Sequence, residues 1–325
     1  MNNYSWLQKR LHQVALSPHF LRVAAFDLES TLTSSLSNKG DHVFVSGLAR
    51  SGTTILLNAI FESDLFASLS YSDMPFILAP NLWSKISFTN RSTDTVERAH
   101  GDGIQVSIKS PEAFEEVFWK TFHDTDDETQ DKFKRYIDLI LIKNDKRRYL
   151  SKNNQNIRRL EIISGALPNA KILIPFRSPI QHAKSLLTQH TKFISDSKND
   201  KFISDYMKWI GHTEFGPNYR PIYSDDLQFN NAADINHWLE QWYQTYKNCL
   251  ETMRHKPNVY FICYEKLCNT PTYWYDLLDI LNVEKKYTFP FRESKKDVPD
   301  VVSSDCFQKT LSLYDELKLI SSVYG

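Results

Sequence analysis

Residues 42–60 constrain the fold more than any other stretch, because they join an apolar strand, a glycine-containing turn and an apolar helix without interruption. Residues 43–45 are β-branched or aromatic, as strands favour. After Thr53, apolar residues recur at the spacing of one helical face. The sequence therefore predicts a strand, a tight loop over residues 47–54 and a buried helix.

The composition of this loop is suited to binding an anion. Gly47 and Gly52 let the backbone turn tightly, and the N-terminus of the following helix adds unpaired N–H groups and a positive dipole end. Backbone amides arranged in this way most often bind phosphate. For the loop considered alone, an ordinary turn between a strand and a helix is the alternative interpretation.

The loop has the G-x-x-x-x-G frame of a Walker A sequence but lacks its lysine. Thr53 stands where NTPases carry the lysine that reaches the β- and γ-phosphates. The basic residue of the loop is Arg50 instead. This difference argues against an ordinary ATPase or kinase. A nucleotide kinase or NTPase on the same fold and a non-catalytic nucleotide-binding module remain the alternative functions.

Residues 50–54, Arg-Ser-Gly-Thr-Thr, resemble the 5′-phosphosulfate-binding loop of sulfotransferases that use 3′-phosphoadenosine-5′-phosphosulfate (PAPS). The resemblance implies PAPS as the cofactor without a metal, and Arg50 as a catalytic residue. It also implies a P-loop-type three-layer α/β fold, with a mostly parallel central sheet flanked by helices. The cofactor-binding residues that it implies here are Gly47, Arg50, Ser51, Gly52, Thr53 and Thr54.

A second segment resembles the 3′-phosphate-binding part of the same family. After a strand at residues 172–176 come Arg-x-Pro and a helix with a serine eight positions beyond the arginine. Pro179 suits the first turn of a helix and Ser185 lies two turns along, so that Arg177 and Ser185 can converge on one phosphate. Arginine supplies the bidentate fork that phosphate accepts.

Two further similarities support the family. Residues 152–154, Lys-Asn-Asn, resemble a Lys-Thr-Pro-like segment, which implies that Lys152 neutralises the sulfuryl oxygens; a surface lysine is the alternative. Residues 264–267, Tyr-Glu-Lys-Leu, resemble the family's Tyr-Glu-Asp-Leu strand end, which a proline-started helix follows at Pro271. The resemblance covers residues 42–282 in the family's order.

The sequence offers several candidates for the base that takes the acceptor's proton. Asp73 follows the loop by one helix and a short turn, in the region where several Golgi-type relatives of the family carry this acid. Asp73 is therefore the predicted base, and a solvated turn aspartate or a helix N-cap is the alternative. His100 and Glu112 are the second candidates, although the dipole of a helix opening at Pro111 would also explain an acid at Glu112.

Composition and charge exclude other classes of partner. The chain has 39 basic and 39 acidic residues, so no global field favours nucleic acid or an anionic membrane. The four cysteines show no C-x-x-C spacing, which indicates reduced thiols in a cytoplasmic protein. No transmembrane segment is predicted. An apolar face at the N-terminus is predicted to pack against the protein, with peripheral membrane contact as the alternative.

The 325 residues are predicted to form one domain, because no linker or repeat divides them. Residues 192–231 combine polar residues and aromatics with little periodicity, and are predicted as an insertion over the acceptor cleft; a disordered loop is the alternative. A clear helix is predicted over residues 236–253. The expected acceptor is a small molecule or a saccharide, including a saccharide-bearing lipid, and both hydroxyl and amine acceptors and the oligomeric state stay open.

Overall fold

The computed structural model describes residues 6–36, 40–87, 96–97, 105–106, 110–123, 126–199, 201–224, 227–285, 288–293 and 304–321. Its helices are α1 (Trp6–Leu16), α2 (His19–Leu32), α3 (Thr53–Phe61), α4 (Pro80–Ile86), α5 (Glu116–Phe122), α6 (Asp127–Asn144), α7 (Leu160–Ala166), α8 (Pro179–Asn199), α9 (Lys201–Trp209), α10 (Ile235–Met253), α11 (Tyr264–Asn269), α12 (Pro271–Ile280) and α13 (Ser304–Ile320). Two 3-10 helices span Tyr71–Asp73 and Asn154–Arg158.

The strands are β1 (Val43–Val45), β2 (Phe66–Ala67), β3 (Val96–Glu97), β4 (Gln105–Val106), β5 (Arg148–Lys152), β6 (Lys171–Phe176) and β7 (Val259–Cys263). Five of them form a parallel sheet in the order β2-β5-β1-β6-β7, and β3 pairs with β4 in a separate antiparallel ribbon. The central strand β1 is in register with β5 through Val45 and Lys152. Because the strands are parallel, the segments that follow β1, β5, β6 and β7 begin at one edge of the sheet.

Side chains of β1 alternate between two separate core layers, as the period of a strand requires. Val43 and Val45 lie in the layer formed with helices α3 and α12, whereas Phe44 lies in the larger layer with α6, α8 and α10. The ring of Phe44 packs 6.1 Å from that of Phe133 on α6. Helices therefore cover both faces of the sheet, which confirms the predicted three-layer α/β fold with a mostly parallel central sheet.

Most predicted elements near the site are present, and one differs. The helix predicted to open at Pro111 begins at Glu116, because Glu112 and Pro111 instead pair their backbones with Leu69 and Ser70. Residues 192–231, whose sequence shows little periodicity, are helical in their first half, which argues there against the disordered-loop alternative. There, α8 continues to Asn199 and α9 follows, with Phe193 and Tyr206 buried.

The N-terminal helix does not bury the face that its sequence pattern favoured. Trp6, Leu11 and Val14 are exposed, while Ala15 and Leu16 pack into the core. The predicted packing face is thus wrong for the three largest of its described residues. The helix packs instead through Ala15 and Leu16 in its last turn. Across the residues that the structure describes, no helix has both the length and the apolar character needed to cross a membrane.

Candidate active site

The loop after β1 is closely packed by neighbouring backbone and by an aromatic ring. Gly52 has φ 97° and caps α3, and a Cβ built on it would collide with the ring of Tyr264. A Cβ on Gly47 would lie 2.9 Å from the carbonyl oxygen of Pro175. Only glycine fits at either position. The loop is therefore a narrow turn of backbone held between β6 and α11.

The remaining loop residues occupy distinct environments. Arg50 has φ 72°, an uncommon conformation for a residue with a side chain and one that clusters at functional sites. Ser51 and Thr53 are buried, and the partly exposed Thr54 lies in the first turn of α3. The backbone amides of this turn are the ones a helix leaves unpaired. The predicted cradle thus coincides with a helix N-terminus.

The structure brings together the two segments that were predicted to bind phosphate. Nε of Arg50 donates to Oγ of Ser185 on α8 at 3.3 Å. Arg177 lies just beyond β6, where burial lowers the pKa of its guanidinium; Glu265 opposes this shift and the charge of Arg50 adds to it. Two positive side chains and one hydroxyl therefore meet beside the loop.

Contacts from β7 and α11 support this cluster. Oε1 of Glu265 accepts a hydrogen bond of 2.7 Å from the backbone N–H of Ser178, next to Arg177. Its neighbour Tyr264 packs on Gly52. The sequence identified Tyr-Glu only as a strand-end pattern and missed these contacts. The parallel pairing of β6 and β7, which makes both strand ends meet, is the signal that points to them.

A fully buried histidine also faces the loop and was not predicted. Nε2 of His182 lies 2.7 Å from the carbonyl oxygen of Ala49, and its Nδ1 has no hydrogen-bond partner among the described residues. Burial, together with Arg177 and Arg50, lowers the pKa of His182 to about 3, so that the ring is neutral at pH 7. The available signal was its i, i+3 spacing to Ser185 on one helix face.

Lys152 ends β5 directly beside the start of the loop. Its backbone is in register with Val45, and the N–H of Asn153 donates to the Val45 carbonyl at 3.2 Å. The side chain of Lys152 is buried, which argues against the surface-lysine alternative. Lys152 thus lies at the same sheet edge as the segments that carry Arg50 and Arg177.

A hydrogen-bonded chain leads from the loop to the segment after α9. Oγ1 of Thr53 donates to Oδ1 of Asn154 at 3.2 Å, and Nδ2 of Asn154 donates to Oε1 of Glu214 at 3.4 Å. Nδ1 of His212 lies 2.9 Å from Oε2 of Glu214. No local pattern in the sequence indicated His212 or Glu214, because the residues that they contact come from distant segments.

Asp73 is buried in contacts that stabilise its own turn. Its Oδ2 accepts from the backbone N–H of Ser70 at 2.8 Å, and its Oδ1 forms an ion pair with Lys143. Lys143 lies in the last turn of α6, which leads to the sheet edge opposite the loop. Among the described residues, no hydrogen bond or ion pair joins Asp73 to Arg50. Asp73 is neither solvated nor the N-cap, because it is buried and forms a capping box with Ser70, which is the N-cap. Its role as the base stays a prediction.

The second candidates for the base are only partly described. Glu112 is buried, and its carboxylate accepts from the hydroxyl of Tyr71 at 2.8 Å and from the backbone N–H of Ala113 at 2.9 Å. These contacts tie Glu112 to the same turn as Asp73. His100 lies outside the described residues, so its position carries no information on the base.

Comparison with known proteins agrees with the geometry of the loop. The model of the Sulfotransferase family matches residues 42–284. Comparison with curated proteins finds no match. Similar solved structures include sulfotransferase STF1 from Mycobacterium tuberculosis, at 12% identity over 98% of this chain and 87% of that chain with a TM-score of 0.48.

Two other solved structures are similar at comparable levels. Sulfotransferase STF9 from Mycobacterium avium has 11% identity over 97% of this chain and 79% of that chain, with a TM-score of 0.45. A sulfotransferase from Alicyclobacillus acidocaldarius has 15% identity over 87% of this chain and 94% of that chain, with a TM-score of 0.41. Because the family model alone matches well over half of the chain, this protein belongs to the sulfotransferase family.

Proposed function

We propose that this chain transfers the sulfuryl group of PAPS to a hydroxyl or amine of an acceptor. The observation that supports this most is the hydrogen bond between Arg50 in the loop and Ser185 on α8. It joins the residues assigned to the two phosphate groups of PAPS, so that one molecule can reach both. When bound, PAPS supplies the sulfuryl group, and 3′-phosphoadenosine-5′-phosphate (PAP) is its leaving group.

The residues of the loop fit the phosphosulfate end of PAPS. Gly47 and Gly52 leave no room for a Cβ, so the backbone amides of the turn are free of side chains that would block an anion. The N-terminus of α3 adds its dipole to the same place. In this proposal, residues 47–54 hold the 5′-phosphosulfate.

The beginning of α8 fits the second phosphate. Arg177 is partly buried and repelled by the positive charge of Arg50, a repulsion that a bound anion would relieve. The guanidinium of Arg177 matches phosphate geometry, and Ser185 supplies a hydroxyl two turns along the helix. We assign the 3′-phosphate to these two residues.

Catalysis in this proposal is positioning and electrostatic stabilisation. Arg50, Lys152 and the loop amides stabilise the charge that develops on the leaving 5′-phosphate, and no metal takes part. The rival proposal of a kinase or NTPase requires a lysine where Thr53 stands, and Thr53 hydrogen-bonds to Asn154 instead. A non-catalytic PAP-binding protein is the other rival.

The proposed acceptor is a small molecule or a saccharide, including one carried by a lipid. Residues 71–83 support this, because the partly exposed rings of Phe76 and Trp83 lie 5.1 Å apart beside polar groups. Aromatic and polar groups together suit a sugar's apolar faces and hydroxyls. The cysteines all lie in the described part of the chain and form no disulfide, which supports the proposed cytoplasmic location.

Transfer from labelled PAPS tests the proposal. Purified protein in EDTA is incubated with methyl glucoside, methyl galactoside, octyl glucoside and glucosamine as separate acceptors. We expect the wild type to label at least one sugar and Arg50→Ala to lose most of that activity. Arg254→Ala is the matched control, because its ion pair with Glu316 is exposed.

The outcomes separate the rivals. Stabilisation by PAP without labelling of any sugar would favour the non-catalytic protein. Activity that requires Mg²⁺ and ATP, with no response to PAP, would favour the kinase.

A further inference from the structure

We propose that His182 is a positioning residue for the nucleotide loop, an inference that rests on the proposed function. Its ring holds the peptide between Ala49 and Arg50 with the Ala49 carbonyl towards α8 and the N–H of Arg50 pointing the opposite way. In that orientation the N–H of Arg50 joins the loop amides assigned to the 5′-phosphosulfate. No pattern in the sequence indicated this contact.

Residues 48–51 form a β-turn whose central peptide can adopt either of two orientations. The backbone N–H of Ser51 donates to the carbonyl of Leu48 at 3.2 Å, which closes the turn. Of its two central residues, only Arg50 has a positive φ, at 72°. This combination is that of a type II turn, whereas negative φ at both positions gives type I. The two types differ by a flip of the peptide between Ala49 and Arg50.

The residues of the turn do not by themselves favour type II. Its third position needs a positive φ, which glycine or asparagine adopts readily and arginine rarely adopts. Most residues are compatible with a type I turn, and Ala49 and Arg50 fit one without a positive φ. A contact from outside the turn is therefore needed to stabilise the flipped peptide.

His182 supplies such a contact from α8. Its ring is buried, and Nε2 lies 2.7 Å from the carbonyl oxygen of Ala49. A carbonyl oxygen can only accept, so Nε2 carries the ring proton and donates it. The C=O and N–H of a planar trans peptide point in opposite directions. A hydrogen bond that fixes the Ala49 carbonyl towards α8 therefore turns the N–H of Arg50 away from α8.

The next turn of α8 holds the side chain of the same arginine. Ser185 follows His182 by three positions, so the two residues lie on one face of the helix. Oγ of Ser185 accepts the hydrogen bond of 3.3 Å from Nε of Arg50. One helix thus fixes both the main chain and the side chain of the loop residue that has the unusual backbone conformation.

A neutral donor suits the position of His182. Burial, Arg177 and Arg50 together lower the pKa of its imidazole to about 3, so the ring donates without a charge at pH 7. A lysine or arginine here would place a third buried cation beside Arg50 and Arg177. Leucine would fill the space but leave the Ala49 carbonyl without this donor.

Calorimetry with PAP, and kinetics with the sugar that the wild type labels best, test the assignment. We expect His182→Leu to raise the Kd of PAP about tenfold and to lower kcat at saturating PAPS by about 10–10²-fold. His182→Gln should recover most of both losses, because its amide N–H can occupy the place of Nε2. His182→Asn should not recover them, because its shorter amide reaches only the place of Nδ1.

His42→Leu is the matched control. His42 is buried, and its Nδ1 accepts from the backbone N–H of Tyr149 at 3.1 Å, so this ring also binds main chain. It precedes β1, at the sheet edge opposite the loop. We expect His42→Leu to lower the melting temperature and to leave the Kd of PAP and kcat unchanged. If His182→Leu does not fold, the comparison of His182→Gln with His182→Asn decides.

Two readouts need neither PAP nor turnover. In ¹⁵N spectra of the histidine rings, we expect the neutral His182 ring to carry its proton on Nε2, with its signals assigned by their loss in His182→Gln. The amide of Ser51 closes the turn, so its hydrogen exchange reports on the turn. Exchange should be faster in His182→Asn than in wild type, and His182→Gln should restore the slow rate.

Three results would overturn the inference. A wild-type ring protonated on Nδ1 would mean that Nε2 does not donate to the Ala49 carbonyl. Normal PAP affinity and kcat in both His182→Leu and His182→Asn would show that no donor is needed there, as would a loss of melting temperature alone. Failure of the proposed function is distinguishable, because the wild type would then neither bind PAP nor transfer, while the ring tautomer and the exchange of Ser51 would still report on the contact.

Discussion

The donor side and the acceptor side of the candidate site are built in different ways. The donor side consists of two strand–turn–helix units, β1–α3 and β6–α8, whose strands are neighbours in the sheet. Arg50 lies in the turn of the first unit, and Ser185 lies on the helix of the second. What we call the acceptor side is the hydrogen-bonded chain that runs from Thr53 of the loop through Asn154 to Glu214, and these residues come from three distant segments. A local unit leaves a readable pattern in the sequence, whereas an arrangement made only by tertiary contact leaves none.

The two sides also differ in charge. On the donor side, the positive side chains of Arg50 and Arg177 lie close together beside the loop. His182 adds no charge to them at pH 7, because burial keeps its ring neutral. On the acceptor side, Glu214 compensates Lys152 and faces His212. The donor side therefore carries concentrated positive charge that suits an anion, whereas the acceptor side carries charges of both signs.

The largest expected effect is the loss of turnover when the donor side is disrupted. Arg50→Ala should lower turnover at saturating PAPS by about 10²–10³-fold, because it removes a preorganised donor to the leaving phosphate. Transfer of label from PAPS measures this change, with Arg254→Ala as the control. If the variant instead binds PAP more weakly while saturated turnover stays normal, Arg50 serves only in binding.

The next expected effect, similar or smaller in size, is on folding stability, and it tests whether the charge of Glu214 is compensated on the acceptor side. The pKa of Glu214 is lowered to about 2 from its ordinary value of 4.5, so its ionised form stabilises the folded state above pH 4.5. That contribution, about 3 kcal/mol, is lost as pH falls towards 2. Urea unfolding should show Glu214→Gln to be less stable than wild type at pH 7, with a smaller difference at pH 3.5.

The control for this comparison is Glu251→Gln. The ion pair of Glu251 with Lys247 is exposed and therefore contributes little to the free energy of unfolding. A gap between wild type and Glu214→Gln that stays constant from pH 7 to pH 3.5 would mean that packing, rather than charge, accounts for it.

The smallest expected effect concerns the histidine that supports the loop. The pKa of His182 is lowered to about 3 in the folded protein, so the histidine binds a proton more readily in the unfolded chain. The folded state therefore loses stability as pH drops below 6.5. Between pH 7 and pH 5 this amounts to about 2 kcal/mol. His182→Gln should be less sensitive to this change of pH than wild type in urea unfolding. Equal pH dependence in both proteins, with His255→Gln as the exposed control, would show that His182 is not held neutral.

The sequence supported the fold and the donor side because each rests on local pattern. Apolar periodicity predicted β1, α3 and β6, and the glycines and Pro179 predicted the turns between them. Those features are set by neighbours in the chain.

The contacts that the sequence could not supply depend on which strands lie side by side. The contact between Tyr264 and Gly52 forms only because β7 pairs with β6. The contact between His212 and Glu214 forms only because the segment after α9 returns to β5. The exposed side chain of Trp6 is a prediction that failed in the opposite sense. The amphipathic pattern indicated that it packs, but such a pattern does not identify a neighbour that would cover the apolar face.

Calorimetric titration of the wild-type protein with PAP in EDTA tests the central claim most directly. We expect PAP to bind saturably and equally well with Mg²⁺ and with EDTA, and ATP to bind much more weakly. We also expect a gain of about 2.7 kcal/mol in folding stability at PAP a hundredfold above Kd. Binding of ATP that requires Mg²⁺, with no heat from PAP, would contradict the account.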